Sequence, residues 1–246
     1  MRHVKRYQEL FESQTELTPE QIEWLDECTR GKWTLNPQTG LVDVNGGFFC
    51  DSQNLTDFKG VRFGVVTRGF DCSGNKLTSL KGAPQEVGEN FYCFGNKLTS
   101  LKDAPQKVGG SFHCYNNKLT SLEGAPEKVV WAFNCSANNL TSLKDAPQEV
   151  GTDFNCGQNE LTSLEGAPKK VGRDFYCYDN PVSESVLKSL YKRMQSGMSW
   201  SDAVARQWKY IRSVDDKILL APYNPNLSPD ELKVYQAIGA LKRRSI

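Results

Sequence analysis

Apolar and polar positions in the middle of this chain recur with a long, nearly fixed period. Cys72, Cys93, Cys114, Cys135, Cys156 and Cys177 stand 21 residues apart, and Cys50 precedes them by 22. Around the last six, in whole or in part, the phrase F-x-C-x-x-N-x-L-T-S-L-x-(G/D)-A-P-x-x-V-G returns. A period of this size marks stacked units, each too small to bury its own apolar face. Within a unit, Phe-x-Cys alternates with period two and predicts a short strand with both side chains on one face. In the unit of Cys93, the residues Phe91, Cys93, Leu98, Leu101, Ala104, Pro105 and Val108 are predicted to point inward. The asparagine three residues after each cysteine (Asn75, Asn96, Asn117, Asn138, Asn159, Asn180) can satisfy backbone groups where the chain leaves the strand. The rest of a unit is too short for a full helix, and its Gly-Ala-Pro step opposes one. It predicts an extended or tightly turned return path.

The flanks obey other periods. Thr18, Pro19 and Gln21 form a capping-box start, followed by apolar Ile22, Trp24, Leu25 and Cys28, with Gly31 ending the helix. The stretch after it reads as two short strands around Asn36, Pro37 and Gly40. The first unit is degenerate, with Gln53 for Asn and Phe58 for Leu, as suits a unit beside a cap. From Ser183 onward a helical period takes over: Val186, Leu187, Leu190, Tyr191 and Met194, then Val204, Trp208 and Ile211, then a last helix opened by Ser228 and Glu231. The chain thus divides into an N-terminal helix and strand cap (1–47), a solenoid (48–180) and a C-terminal all-helical cap (181–246). The expected architecture is a right-handed repeat solenoid. Its one parallel sheet would have about seven short strands and span roughly 30 Å at ~4.8 Å per strand.

Charge changes this picture little. The net charge is +1, with 30 Lys+Arg against 29 Asp+Glu. Residues 181–246 hold 11 basic and 6 acidic side chains, leaving 19 and 23 for residues 1–180. This mild asymmetry reads as a solvated helical face and disfavours nucleic acid as a partner. No apolar run approaches the ~18 residues of a membrane span. The charged N-terminus carries no secretory core, so a cytoplasmic protein with reduced thiols is expected. One cysteine per unit reads as a ladder of buried thiols acting as small hydrophobes. No C-x-x-C pair suggests zinc. Neither a metal nor a cofactor is expected.

The phrase F-x-C-x-x-N-x-L resembles the leucine-rich-repeat core L-x-L-x-x-N-x-L position for position, over roughly residues 48–180. Its continuation T-S-L-x-G-A-P-x-x-V resembles the short-period form of that repeat. Trp33 to Asn36, Val42 to Val44 and Asn180 to Glu184 add a texture similar to the leucine-rich-repeat proteins of tailed bacteriophages. That resemblance implies a fold, and with it the expectation of a phage-encoded inhibitor of a host protein. The short repeats of secreted bacterial effectors are also similar. Some of those end in a ubiquitin ligase with a catalytic cysteine, but here no cysteine follows Cys177.

The strand residues pointing away from the core would line the concave face, and there the units differ. Tyr92, Phe94, His113 and Tyr115 form an aromatic block on adjacent strands. Trp131 replaces Glu89, Gly110, Thr152 or Arg173 of sister units. Asn134 lies beside the block, and Tyr176 with Tyr178 forms a second aromatic pair. Exposed aromatics are enriched in binding hot spots, and cross-strand stacking that merely stiffens the sheet is the competing explanation. Catalysis has little support, because the only histidines are His3 and His113 and no glycine loop is independent of the repeat. The expectation is a non-enzymatic module binding a protein partner. The alternative is a binder of a small planar ligand, a nucleotide or glycan ring.

Overall fold

A computed structural model describes residues 16–180, apart from 162–165, 174 and 178. The C-terminal helical cap predicted for 181–246 lies outside the described residues. Helix α1 (Pro19–Cys28) begins with the capping box: Thr18 Oγ1 accepts from the Gln21 amide at 3.3 Å, and Gln21 Oε1 accepts from the Thr18 amide at 2.9 Å. Gln21 Nε2 then donates to the Lys59 carbonyl at 2.7 Å, which ties the helix to the first turn. Trp24, Leu25 and Cys28 are buried, with Trp24 edge-on to Phe48 at 5.2 Å. Gly31 does not end the helix. Strand β1 (Thr29–Leu35) starts at the residue after Cys28. Gly31 instead pairs with Gly46 across the antiparallel ladder to β2 (Val42–Phe49). Both glycines have φ near +144°, and a Cβ on either would meet a carbonyl oxygen at about 2 Å. Two chains approach so closely there that only glycine fits.

Beyond β2 the chain winds as a parallel β-solenoid of about six turns. Its strands run β3 (Phe63–Val66), β4 (Phe70–Asp71), β5 (Glu86–Val87), β6 (Phe91–Tyr92), β7 (Lys107–Val108), β8 (Phe112–His113), β9 (Lys128–Val129), β10 (Phe133–Asn134), β11 (Glu149–Val150), β12 (Phe154–Asn155), β13 (Lys170–Val171) and β14 (Phe175–Tyr176). The even-numbered strands from β2 to β14 form the ladder foreseen from Phe-x-Cys, in strict register from turn to turn. The expectation of one sheet needs correction. The return path carries a second parallel ladder of the odd strands, made by the Val of each x-x-Val-Gly step. The long strand β2 joins the two: its Val42 end pairs with β3 and its Phe48 end with β4.

A glycine corner separates the ladders. At Gly88, Gly109, Gly151 and Gly172, a Cβ would lie 2.0, 2.1, 1.8 and 1.9 Å from a carbonyl oxygen of the preceding turn. The stacked backbones leave no room for a side chain. Two turns depart from glycine there: Thr67, whose amide still donates to the Val44 carbonyl at 2.9 Å, and Val130. The amide-to-carbonyl bonds that Gly109 and Gly151 make to Val87 and Val129 have no counterpart at Val130. The second ladder is split at this turn, between β7 and β9.

The core is a set of columns along the axis. Phe48, Phe70, Phe91, Phe112, Phe133 and Phe154 pile ring on ring, 5.1 to 5.7 Å apart. All eight cysteines are free and buried. Burial pushes their thiols up, that of Cys177 to about 12. Several donate to a carbonyl of the next turn, as Cys72 Sγ does to Tyr92 at 3.3 Å. The asparagine column behaves as its spacing suggested. Asn96 Nδ2 donates to the carbonyls of Cys72 and Cys93 at 3.0 and 3.1 Å, and its Oδ1 accepts from the Leu77 amide at 3.0 Å. In the degenerate first turn the longer Gln53 bonds outward instead, accepting from Trp24 Nε1 at 2.9 Å. The departure from Asn thus fastens the cap to the solenoid.

Candidate functional site

Two columns of the Phe-x-Cys ladder point away from the core: the residue before each cysteine and the residue after it. Because the ladder is in register, chemically alike residues on adjacent turns are forced side by side. Tyr92 and His113 stack at 5.0 Å and 27°, and Phe94 and Tyr115 stack at 4.5 Å and 6°. Within each turn the rings are tilted, Tyr92 to Phe94 at 6.0 Å and His113 to Tyr115 at 6.1 Å. The four form a two-by-two block, each half-buried. Contacts of this kind contribute about 0.5–1.5 kcal/mol per pair beyond area burial.

Three other turns finish the strand in another way. Asp71 Oδ1 accepts from the Ser73 amide at 2.9 Å, Asn134 Oδ1 from the Ser136 amide at 3.0 Å and from its hydroxyl at 2.7 Å, and Asn155 Oδ1 from the Gly157 amide at 2.9 Å. A carboxylate or amide in the first column therefore caps the backbone of a small residue in the second. The sequence shows the same two-way choice once it is sought. The capping pairs are Asp71 with Ser73, Asn134 with Ser136 and Asn155 with Gly157, and the aromatic pairs are Tyr92 with Phe94, His113 with Tyr115 and, in sequence, Tyr176 with Tyr178, while the first turn has Phe49 with Asp51. Asp71 and Ser73 flank the block on the same two columns, and their only signal in the sequence is this pairing of an acid with a small residue.

The other candidate residues separate. Asn134 caps its own strand. Trp131 sits on the corner between the two ladders, 56% exposed, beside Val130 at 47%. No ring contact joins it to the block among the described residues. Tyr176 is half-buried on β14, one residue before Cys177. Tyr178 lies outside the described residues.

Electrostatically the block is a π surface beside one acid. Burial holds His113 below its ordinary value of 6.5, so the imidazole is neutral near pH 7. Burial and the neighbouring Asp71 carboxylate push the Tyr92 and Tyr115 phenols up. The opposite ladder is different in kind, with ion pairs Lys107–Glu86 and Lys128–Glu149, the latter at 2.8 Å. Among the described residues no group of His, Cys, Asp or Glu could hold a metal ion. No described helix is long and apolar enough to cross a membrane.

These features define a class, a parallel β-solenoid with turns of about 21 residues carrying, among the described residues, a four-ring aromatic patch on a repetitive ladder. No family model matches the chain, and no curated protein or solved structure is significantly similar to it.

Proposed function

We propose that the chain is a non-enzymatic interaction module of the leucine-rich-repeat kind, binding a protein partner through the Phe-x-Cys face. The observation that carries this reading is the placement of variety. Phe, Cys, Asn and Leu are held constant to build the ladder, while four aromatics are grouped where the ladder does not need them. Sister turns close the same strand with Asp or Asn and a small residue, so the rings are not required for folding. Grouped, half-exposed aromatics are what partner surfaces use as anchors. The resemblance to bacteriophage repeat proteins points to a protein of a bacterial host as the partner, met in its cytoplasm.

A second reading, a small planar ligand, draws on the parallel Phe94–Tyr115 pair, whose outer ring faces could extend the stack. Affinity capture separates the two. Native chain, Tyr92→Ala with Tyr115→Ala, and a control double change on the opposite ladder, Glu86→Ala with Lys107→Ala, are compared. A partner held by the native and control chains but released by the aromatic variant supports the first reading. A thermal shift given by nucleotides or sugars and abolished by the same variant supports the second. An aromatic variant that behaves as native in both assays removes the block from consideration.

A further inference from the structure

Helix α1 is sorted into two faces. Gln21, Trp24, Leu25 and Cys28 are buried against the solenoid, and Pro19, Glu20, Ile22, Glu23, Asp26 and Glu27 are exposed on the other side. That outer face is not plainly solvated. Ile22 stands 39% exposed in it, and a concavity of about 650 Å³ lies against it, lined by Pro19, Ile22, Glu23, Asp26 and Glu27. The face carries carboxylates and no base. Asp26 and Glu27 occupy the last turn, where no basic residue accompanies them and where the helix dipole favours cations. No ion pair among the described residues includes an acid of α1. The guanidinium of Arg30 donates instead to the carbonyls of Glu27 and Thr29. Asp26 accepts a bond from Trp33 Nε1 at 2.7 Å.

The chain carries a complement to this face. Residues 1–15 precede the described part, and in them Arg2, Lys5 and Arg6 come before any acid. Val4, Tyr7, Leu10 and Phe11 recur at helical spacing, and Arg2 and Arg6 border that stripe one turn apart. Thr18 is extended, with ψ 157°, ahead of Pro19, which stops α1 from running back into this segment. Leu17 packs against the core and fixes the angle at which the chain arrives. The residues between Phe11 and Thr18 suffice for the turn of about 2–5 residues that joins antiparallel helices. At ~1.5 Å per residue, residues 2–12 would match α1 in length, roughly 16 Å against roughly 15 Å. Laid back in that sense, Phe11 falls beside Pro19 and Ile22, and Arg2 and Arg6 fall along Glu23, Asp26 and Glu27. We infer that the outer face of α1 is the docking site of the chain's own residues 2–12, with Tyr7 and Phe11 over Ile22 and the two arginines on the carboxylates. Two misplaced sets of charge then offset each other, since bases at the start of a helix oppose its dipole as acids at its end do. The basic opening of the chain is thereby used inside the molecule and not on an acidic partner.

The test uses the full chain and substitutions that leave the capping box and the buried face of α1 untouched. They are Arg2→Glu with Arg6→Glu, Glu23→Lys with Glu27→Lys, all four together, and Ile22→Gln for the apolar half. Hydrogen exchange of the 2–12 amides is one readout, and NMR contacts from the Phe11 ring to the Ile22 methyls are the other. In the native chain, exchange should be slower by about tenfold or more than in Ile22→Gln, with the ring contacts present. Either pair of charge changes alone should remove the protection, and the four together should restore it. Native amides that exchange as fast as those of Ile22→Gln overturn the docking, and protection that survives both charge pairs overturns the pairing. The NMR contacts are repeated on a mixture of isotope-labelled and unlabelled chains. Contacts that cross from labelled to unlabelled chains would put a second copy's segment on this face, and the assignment to the same chain would fall.

Discussion

At the residue scale, each solenoid column demands one property, and deviations mark either tension or purpose. The second residue after the cysteine is left-handed in every turn: Gly74 and Gly95 at φ +65°, but also Asn116 at +54°, Ala137 at +52° and Gln158 at +54°. Alanine has no side-chain bond to offset that conformation. Replacing Ala137 with Gly should raise stability by about 0.5 kcal/mol, the relieved strain outweighing the extra chain entropy of glycine. Chemical denaturation checks this, and a loss of stability would show that the strain is already relaxed. His113 makes a pH-dependent contribution whose direction follows from its environment. Its folded-state affinity for a proton is depressed by burial. Its contribution is thus present above the unfolded value near 6.5 and is lost as pH falls towards the lower folded value. His113→Asn, the residue of the next two turns, should flatten that part of the stability–pH curve. A variant curve that keeps the native slope between pH 7 and 5 would assign the dependence elsewhere.

At the element scale, the corner glycines decide where the second ladder can close. Val130 carries a side chain where Gly88, Gly109, Gly151 and Gly172 stack backbone on backbone, and the ladder between β7 and β9 opens there, whereas Thr67 at the same corner keeps its amide bond to Val44. Gln106 Nε2 spans towards the next turn by donating to the Gly124 carbonyl at 3.0 Å. Val130→Gly should restore the missing amide bond, stabilise the chain by about 1 kcal/mol and raise protection of the residue-130 amide in hydrogen exchange. An unprotected amide in that variant would show that Trp131, not Val130, holds the ladder apart. Much of this scale could be read from the sequence. The Phe-x-Cys strand, the asparagine column and the capping box each have a local pattern with a single physical solution. The second ladder is not legible in the sequence, because one valine between a charged residue and a glycine carries no alternation. Its strands exist through stacking on their neighbours, which is a property of the repeat and not of the segment. Gly31 misled for a related reason, since a glycine after a helical stretch and a glycine in a close strand crossing look alike in one dimension.

At the scale of the whole molecule, the chain is a constant ladder bearing a variable patch. The constancy was evident from the period, and the patch was evident as the places where the period fails. What the sequence could not show was how each deviation is spent. Tyr92, Phe94, His113 and Tyr115 meet ring to ring, Trp131 stands apart on a corner, and Asn134 serves its own backbone. Those outcomes depend on register and side-chain direction in three dimensions. The central claim is that the four rings serve binding and not folding. It is tested most directly by writing the neighbouring turns' own solution into the block, with Tyr92→Asn, Phe94→Ser, His113→Asn and Tyr115→Ser in one chain. Melting temperature and partner binding are then measured on the same sample. The account expects unfolding that stays cooperative, with a melting temperature lowered by about 15 degrees at most, since four ring pairs at about 0.5–1.5 kcal/mol each are partly replaced by two asparagine caps of about 1 kcal/mol each and about 1 kcal/mol moves a domain of this size only a few degrees, together with complete loss of the captured partner. A chain that binds as the native one does, or one that binds only less because it no longer folds, would contradict it.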